Sequence, residues 1–242
     1  VADADSRAAL IAGLREHGLE AGLAERLAAY GALLLEANRR VNLTGAKEAA
    51  AVLPHLLDAL TLVPFVRLGA SLVDVGSGGG LPGIPLAIAT GVRVTLVEPI
   101  AKKAAFLRDA LAALDLAGEV AAERAEVSAR DPRRREQFDY ATARAVSRAP
   151  TVAELTLPFL RIGGRALLQR GSLDARERRA VEDAAPVLGG AVIDEVRLAG
   201  EQRVLVLEKQ RPSSERFPRR NGVPEKRPLC WDEPPAERER ST

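Results

Sequence analysis

From position 74 to 83 the chain reads Asp-Val-Gly-Ser-Gly-Gly-Gly-Leu-Pro-Gly, at the end of the short apolar run Leu72 to Val75 and at the start of a helix-like stretch from Pro82 to Ala89. A turn this rich in glycine, set between a buried strand and a helix, leaves few folds open. Glycine at the alternate positions Gly76, Gly78 and Gly80 lets the backbone take positive φ and come close to a ligand, while the amides of the turn and of the helix start offer donors. In an α/β sheet such a turn lies at the carboxyl edge of the strands, where ligands bind. A tight turn that needs glycine for packing alone is the alternative.

The flanking sequence repeats the same grammar. Val92 to Val97 reads as a buried strand, Ala101 to Leu114 as a helix, and Glu119 to Glu123 and Phe138 to Ala143 as further strands. A helix over Val152 to Leu160 leads through Gly163-Gly164 into a strand from Arg165 to Gln169, and a polar helix follows over Leu173 to Ala184. Such alternation calls for right-handed crossovers and a mostly parallel sheet covered on both faces. Ala191 to Leu198 and Gln202 to Glu208, joined by Ala199-Gly200-Glu201, can only pair as an antiparallel hairpin. Parallel strands ending in a hairpin predict an α/β fold of the class I, Rossmann-like methyltransferase kind rather than a purely parallel dinucleotide fold.

Upstream, apolar residues recur at three- and four-residue steps from Asp5 to Asn38 and again from Lys47 to Phe65, which predicts two helices and then a third, with Pro54 tolerable only near a first turn or at a kink. The chain therefore divides into an N-terminal helical extension packed on the core (1–66), a ligand-binding core (67–210), and a basic, proline-rich C-terminal segment (211–242) with a disordered end.

Composition narrows the function classes. The chain has 242 residues and 47% hydrophobic content, enough for a core, and its single cysteine, Cys230, excludes an intramolecular disulfide and a cysteine-held metal. No apolar run reaches bilayer length, and Asp3 and Asp5 do not fit a signal peptide. A cytoplasmic protein with no membrane and no metal is expected; nothing resembles a dedicated dimer helix, so a monomer is expected too. Net charge is only +2, yet Arg133-Arg134-Arg135 and Arg219-Arg220 concentrate positive charge. Genomic base composition accounts for abundant arginine, and so does a polyanionic partner.

Which ligand the turn takes is left open by spacing alone. Gly78, Gly80 and Gly83 also satisfy G-x-G-x-x-G, with Glu98 twenty residues beyond Gly78, a pattern that suits NAD. Two features favour another nucleoside. Asp74 puts a carboxylate beside the turn, where it would attract the ammonium of a methionine moiety and repel a pyrophosphate. Pro82 and Pro85 remove amide donors from the helix start. Glu98, at the end of the second strand, is placed to accept from both hydroxyls of an adenosine ribose; an exposed loop acid is the plainer reading.

Other segments complete a pattern: Val41-Asn42-Leu43-Thr44, His55-Leu56-Leu57-Asp58, Leu81-Pro82-Gly83-Ile84-Pro85, Lys102-Lys103 with Phe106-Leu107, Arg124-Ala125-Glu126, Ala143-Arg144-Ala145, and Pro218 through Pro224. In this order, from about Tyr30 to Cys230, the chain resembles the bacterial small-subunit (16S) ribosomal RNA guanine-N7 methyltransferase family, RsmG or glucose-inhibited division protein B. The resemblance implies S-adenosyl-L-methionine as cofactor and a guanine of small-subunit ribosomal RNA, naked or in a ribosomal particle, as acceptor. It places Gly76 and Leu81 at the methionine end of the cofactor, Ala125 and Glu126 at the adenine, and Arg144 at the mouth of the site. Read alone, Ala125-Glu126 is equally a helix start, and Arg144 equally a solvated strand-end arginine. Ala59 stands where the family usually has serine, and His55 on a largely apolar helix reads as structural rather than as a base.

Guanine N7 carries a lone pair and no proton, so its methylation requires no general base; no residue is assigned as acid or base, and Arg144 is the candidate for positioning. RNA contact is expected from Arg144, Arg148 and the Arg216 to Arg227 segment, with Arg219, Arg220, Lys226 and Arg227 foremost. Aromatic residues make up only 3% of the chain, so backbone contact should outweigh base stacking. The competing functions are a methyltransferase acting on another RNA, a protein or a small molecule, an NAD-dependent oxidoreductase, and a ribosome-assembly factor with a vestigial cofactor site.

Overall fold

Strands β1 (Ser71–Val75), β2 (Arg93–Val97), β3 (Gly118–Ala121), β4 (Phe138–Arg144), β5 (Leu160–Arg170), β6 (Gly190–Arg197) and β7 (Arg203–Lys209) form one 7-stranded sheet in the order β3-β2-β1-β4-β5-β7-β6. The structure, a computed structural model, describes residues 4–144, 147–198 and 201–231. Pairing is parallel from β3 through β5, whereas β7 runs antiparallel to both β5 and β6. The sheet is thus the mostly parallel one, ending in a hairpin, that the alternation predicts. Ala199 and Gly200 of the hairpin connection, and the expected disorder after Glu233, lie outside the described residues.

The strands read as continuous apolar runs because both faces are covered. Alternation within each strand sends Leu72, Leu96, Tyr140 and Leu167 to one face and Val73, Val97, Ala141 and Leu168 to the other. The first face is covered by helices α1 (Ala4–Glu16), α2 (Leu23–Asn38), α3 (Ala49–Leu60), α4 (Gly83–Thr90) and α5 (Ala101–Ala113). On the second pack α6 (Ala125–Ser128), α7 (Ala149–Thr156) and α8 (Ala175–Val187). A last helical turn, α9 (Val223–Lys226), lies near α7, where the Thr151 hydroxyl donates to the Pro224 carbonyl. In α2, Leu27, Tyr30 and Leu34 are fully buried at helical spacing, so the N-terminal helices share a core with the sheet.

Two local expectations change. Pro54 sits well inside α3 rather than at its first turn. The fifth strand begins at Leu160, not Arg165, and the helix before it ends at Thr156. The reason is a bulge: Phe138 pairs with Leu160 but Tyr140 with Arg165, with Gly163 at φ +79° and Gly164 pressed within 3.0 Å of three carbonyl oxygens, Phe138, Arg161 and Asp139, were it to carry a Cβ. The glycine pair lies within the strand instead of preceding it.

Candidate functional site

The glycine turn leaves β1 with positive φ at Gly76 (+70°), Gly78 (+56°) and Gly80 (+96°). Four of its amides donate within the protein, where the sequence reading expected exposed donors. Those of Gly76 and Ser77 donate to the Val97 carbonyl at 2.9 and 3.1 Å, and that of Gly80 donates to the Ser77 carbonyl at 2.7 Å. The Gly78 amide donates to Glu98 Oε2 at 2.9 Å, while the Ile100 amide donates to Glu98 Oε1, also at 2.9 Å. Glu98, only 4% exposed, is therefore no ordinary loop acid: it ties the end of β2 to the turn. Each of its oxygens accepts one amide and retains a further lone pair.

The three central glycines face different surroundings. A Cβ on Gly79 would lie 2.8 Å from Leu34, and one on Gly80 2.5 Å from Ile84, so both are required by packing. A Cβ on Gly78 would meet nothing closer than the Gly76 carbonyl at 3.9 Å, so this side of the turn is open. From beneath, the buried Tyr30 hydroxyl donates to the Gly79 carbonyl at 2.7 Å. Burial raises the pKa of that phenol, which keeps it a donor. Leu81, next in the turn, is nearly buried.

Asp74 requires correction. Its carboxylate is fully buried and braces the turn from below: Oδ1 accepts from the Thr142 hydroxyl at 2.9 Å and Oδ2 from the Gly83 amide at 3.3 Å. Burial pushes its pKa up to about 6, against the opposing pull of those two bonds and of the Arg144 charge. A carboxylate so enclosed does not present itself to a ligand's ammonium.

Period-two alternation places Asp74, Thr142, Arg144 and Gln169 on one face of neighbouring strands, the face covered by α3, with Asp74 level with Thr142 and Arg144 level with Gln169. Asp58 of α3 closes the row. Its Oδ2 accepts from Arg144 Nη1 at 3.0 Å and its Oδ1 from Gln169 Nε2 at 2.9 Å. Gln169 Nε2 also lies 2.7 Å from the Asp58 carbonyl and 3.2 Å from the Thr61 hydroxyl. Arg144 is thus fixed at the strand end, not solvated. His55, one helical turn before Asp58, has its pKa lowered by partial burial and by the Arg144 charge, against the pull of Asp58, and stays neutral. Beside this cluster Asp58, Arg144, Gln169 and Arg170 line a cleft of about 310 Å³. Sequence reading missed Gln169 and left Asp58 without a role; polar residues breaking an apolar strand at two-residue spacing were the available signal.

Over its described residues, 211–231, the basic C-terminal segment is tied to the core. Arg219 pairs with both oxygens of the fully buried Glu154 and donates to the Arg227 carbonyl, so it anchors the segment. Glu126, expected at the adenine, points its Oε1 at the Gly222 amide, 2.7 Å away, and holds the same segment; Ala125 is buried beside it. Within the Arg133–Arg135 run, Arg133 pairs with Asp131, Arg134 with Glu123, and Arg135 donates to carbonyls of Ala129, Ser213 and Phe217. Arg148 lies over the Trp231 ring at 4.6 Å. Arg220, Lys226 and Arg227 are exposed.

Residues 23–206 match the profile of a family described as rRNA small subunit methyltransferase G (GidB). Among curated relatives, a ribosomal RNA small subunit methyltransferase G of Roseiflexus sp. is 45% identical over 213 residues, covering 85% of this chain and 91% of its own. The protein of the same name from Rubrobacter xylanophilus is 44% identical over 211 residues, 82% of this chain and 81% of its own. Among solved structures, the branched-chain polyamine synthase of Thermus thermophilus superposes with a TM-score of 0.53 at 14% identity, over 67% of this chain and 57% of its own, a likeness of fold alone.

Proposed function

The chain belongs to the rRNA small subunit methyltransferase G family, and from that premise we propose that it transfers a methyl group from S-adenosyl-L-methionine to N7 of a guanine in small-subunit ribosomal RNA. The observation that carries the cofactor assignment is the pairing of an open Gly78 with the Glu98 carboxylate held beneath it. A nucleoside approaching over Gly78 meets a carboxylate with lone pairs to accept from ribose hydroxyls. A pyrophosphate would find the amides of Gly76, Ser77, Gly78 and Gly80 already bonded within the protein. Gly76 and Leu81 would hold the methionine end, and Ala125 would border the adenine. Glu126 is engaged by Gly222, so its side chain serves the wall rather than the ring.

When bound, the sulfonium supplies an electrophilic methyl carbon. The N7 lone pair of the purine would take that methyl carbon, the C–S electron pair staying with sulfur and the positive charge passing to the imidazole ring of guanine. No proton moves at N7. A base is therefore not needed. What the protein contributes is alignment, which can supply up to about 7 to 11 kcal/mol. Asp58 holds Arg144 at the carboxyl edge of β4, one strand over from the glycine turn, where the acceptor must stand.

RNA backbone contact is assigned to the exposed Arg220, Lys226 and Arg227 together with Arg148 and Arg144. We read the working state as a cytoplasmic monomer engaging small-subunit ribosomal RNA, naked or in a ribosomal particle. No helix among the described residues is long and apolar enough to cross a membrane. The test is incubation with small-subunit particles and isotope-labelled S-adenosyl-L-methionine, followed by nucleoside mass analysis. Labelled 7-methylguanosine is the expected product, and affinity for the RNA should fall steeply with added salt. Label on a protein or on a different base, or a flat salt response, would overturn the assignment.

A further inference from the structure

Two residues that line the cleft at the carboxyl ends of β4 and β5 carry a buried polar atom without a partner among the described residues: Arg170, a donor at Nε, and Gln169, an acceptor. Gln169 is 5% exposed and commits its amide nitrogen to Asp58 and Thr61, yet its Oε1 is buried with no hydrogen-bond partner among the described residues. The orientation of that amide is dictated. Reversed, its oxygen would face the carbonyl and carboxylate oxygens of Asp58, acceptor against acceptor, and both bonds would be lost. Asp58 therefore forces an acceptor to the far side of the amide, where no donor among the described residues meets it. A buried acceptor left unmatched is a standing cost that native structures seldom carry without a reason.

The cleft, about 310 Å³, lies in the range of small-ligand sites, roughly 300 to 1,000 Å³. It is bordered by Arg144, whose remaining guanidinium donors are not spent on Asp58. An acceptor beside donors is complementary to the N2 amine and O6 of guanine; adenine has neither group at those positions. Resting on the methyl-transfer reading above, we propose that Gln169, oriented by Asp58, is the specificity-determining residue, its amide oxygen accepting from the exocyclic N2 amine of the target guanine. Held through N2, a purine leaves N7, at the far side of the ring system and next to O6, uncovered for attack. Arg144 then donates to O6, and the same ion pair that fixes Arg144 fixes the reader.

The test compares guanosine with inosine, which lacks only the N2 amine. The wild-type protein first locates its methylated position in small-subunit RNA, and the RNA is rebuilt with inosine there. We expect kcat/KM for the inosine RNA to fall roughly tenfold or more with the wild-type protein, the scale of one lost buried hydrogen bond. Gln169→Leu and Gln169→Met, the second keeping the length of the side chain, should treat the two RNAs alike within about threefold, with affinity for S-adenosyl-L-methionine unchanged within about twofold. The inference is overturned if the wild-type protein methylates inosine RNA as fast as guanosine RNA, a comparison that needs no variant to fold, or if either variant keeps the discrimination. Absence of any wild-type methylation of small-subunit RNA would instead overturn the methyl-transfer reading, and this inference with it.

Discussion

The two halves of the sheet's carboxyl edge are built differently. Over β1 and β2 the site is backbone: glycine φ values, amides bonded to Val97, Ser77 and Glu98, and a hydroxyl from Tyr30 underneath, with the bonds of the turn supplied by the protein itself. Over β4 and β5 it is side chain: Asp58, Arg144 and Gln169 arrive from three elements, and one buried oxygen is left over. The first half is finished and waits for a cofactor that fits; the second is completed by what it binds. Methyl transfer to a base that needs no deprotonation asks for this division, because one partner must be held still while the other is recognised.

If the halves are separable, damage to each should be read by a different measurement. Gly78→Val puts branched carbon on the open side of the turn at φ +56°, and should abolish calorimetric binding of S-adenosyl-L-methionine while the fold persists at a cost of about 1 to 2 kcal/mol. Retained affinity would break the assignment of this half. Asp74, beneath the turn, has its folded pKa raised from 3.8 to about 6, so its protonated form stabilises the fold fully below pH 3.8 and that contribution is lost as pH rises through about 6. Asp74→Asn, permanently neutral, should gain on the wild type across that window by at most about 3 kcal/mol, read as the difference in unfolding free energy at about pH 4 and about pH 7. A pH-independent difference would place the charge elsewhere.

Asp58→Asn sharpens the contrast from the other side. It weakens the hold on Arg144 and lets the Gln169 amide turn, and methyl transfer should fall about thirtyfold, or about 2 kcal/mol, with cofactor affinity essentially unchanged. Loss of cofactor binding instead would mean that the halves are one unit. The smallest effect is expected from Tyr30→Phe, which removes only the hydroxyl that donates to Gly79; stability should drop by about 1 kcal/mol in denaturant titration, and an unchanged midpoint would show that the N-terminal helices do not brace the turn.

What the sequence disclosed follows the same division. The glycine turn and the strands around it were legible because backbone requirements are written locally: the positive φ of positions 76, 78 and 80 favours glycine, and apolar runs mark buried parallel strands. The bonds of Asp74 and Glu126 to the backbone amides of Gly83 and Gly222 were not legible, because adjacency to a turn says nothing about which way a carboxylate faces. Arg219 looked like an RNA contact in a basic run, yet buried Glu154, 65 residues earlier, claims it. Gln169 left only the trace of a polar residue in an apolar strand, because its partner Asp58 is 111 residues away and only the sheet register brings Arg144 level with it.

The most direct measurement is a crystal structure with S-adenosyl-L-homocysteine soaked in. The account predicts the ribose hydroxyls on the Glu98 carboxylate and the sulfur over the turn at Gly76 to Gly78, with the cleft at Arg144 and Gln169 left clear. Density for the nucleoside in that cleft, or a glycine turn that admits no ligand while the crystals remain intact, would contradict it.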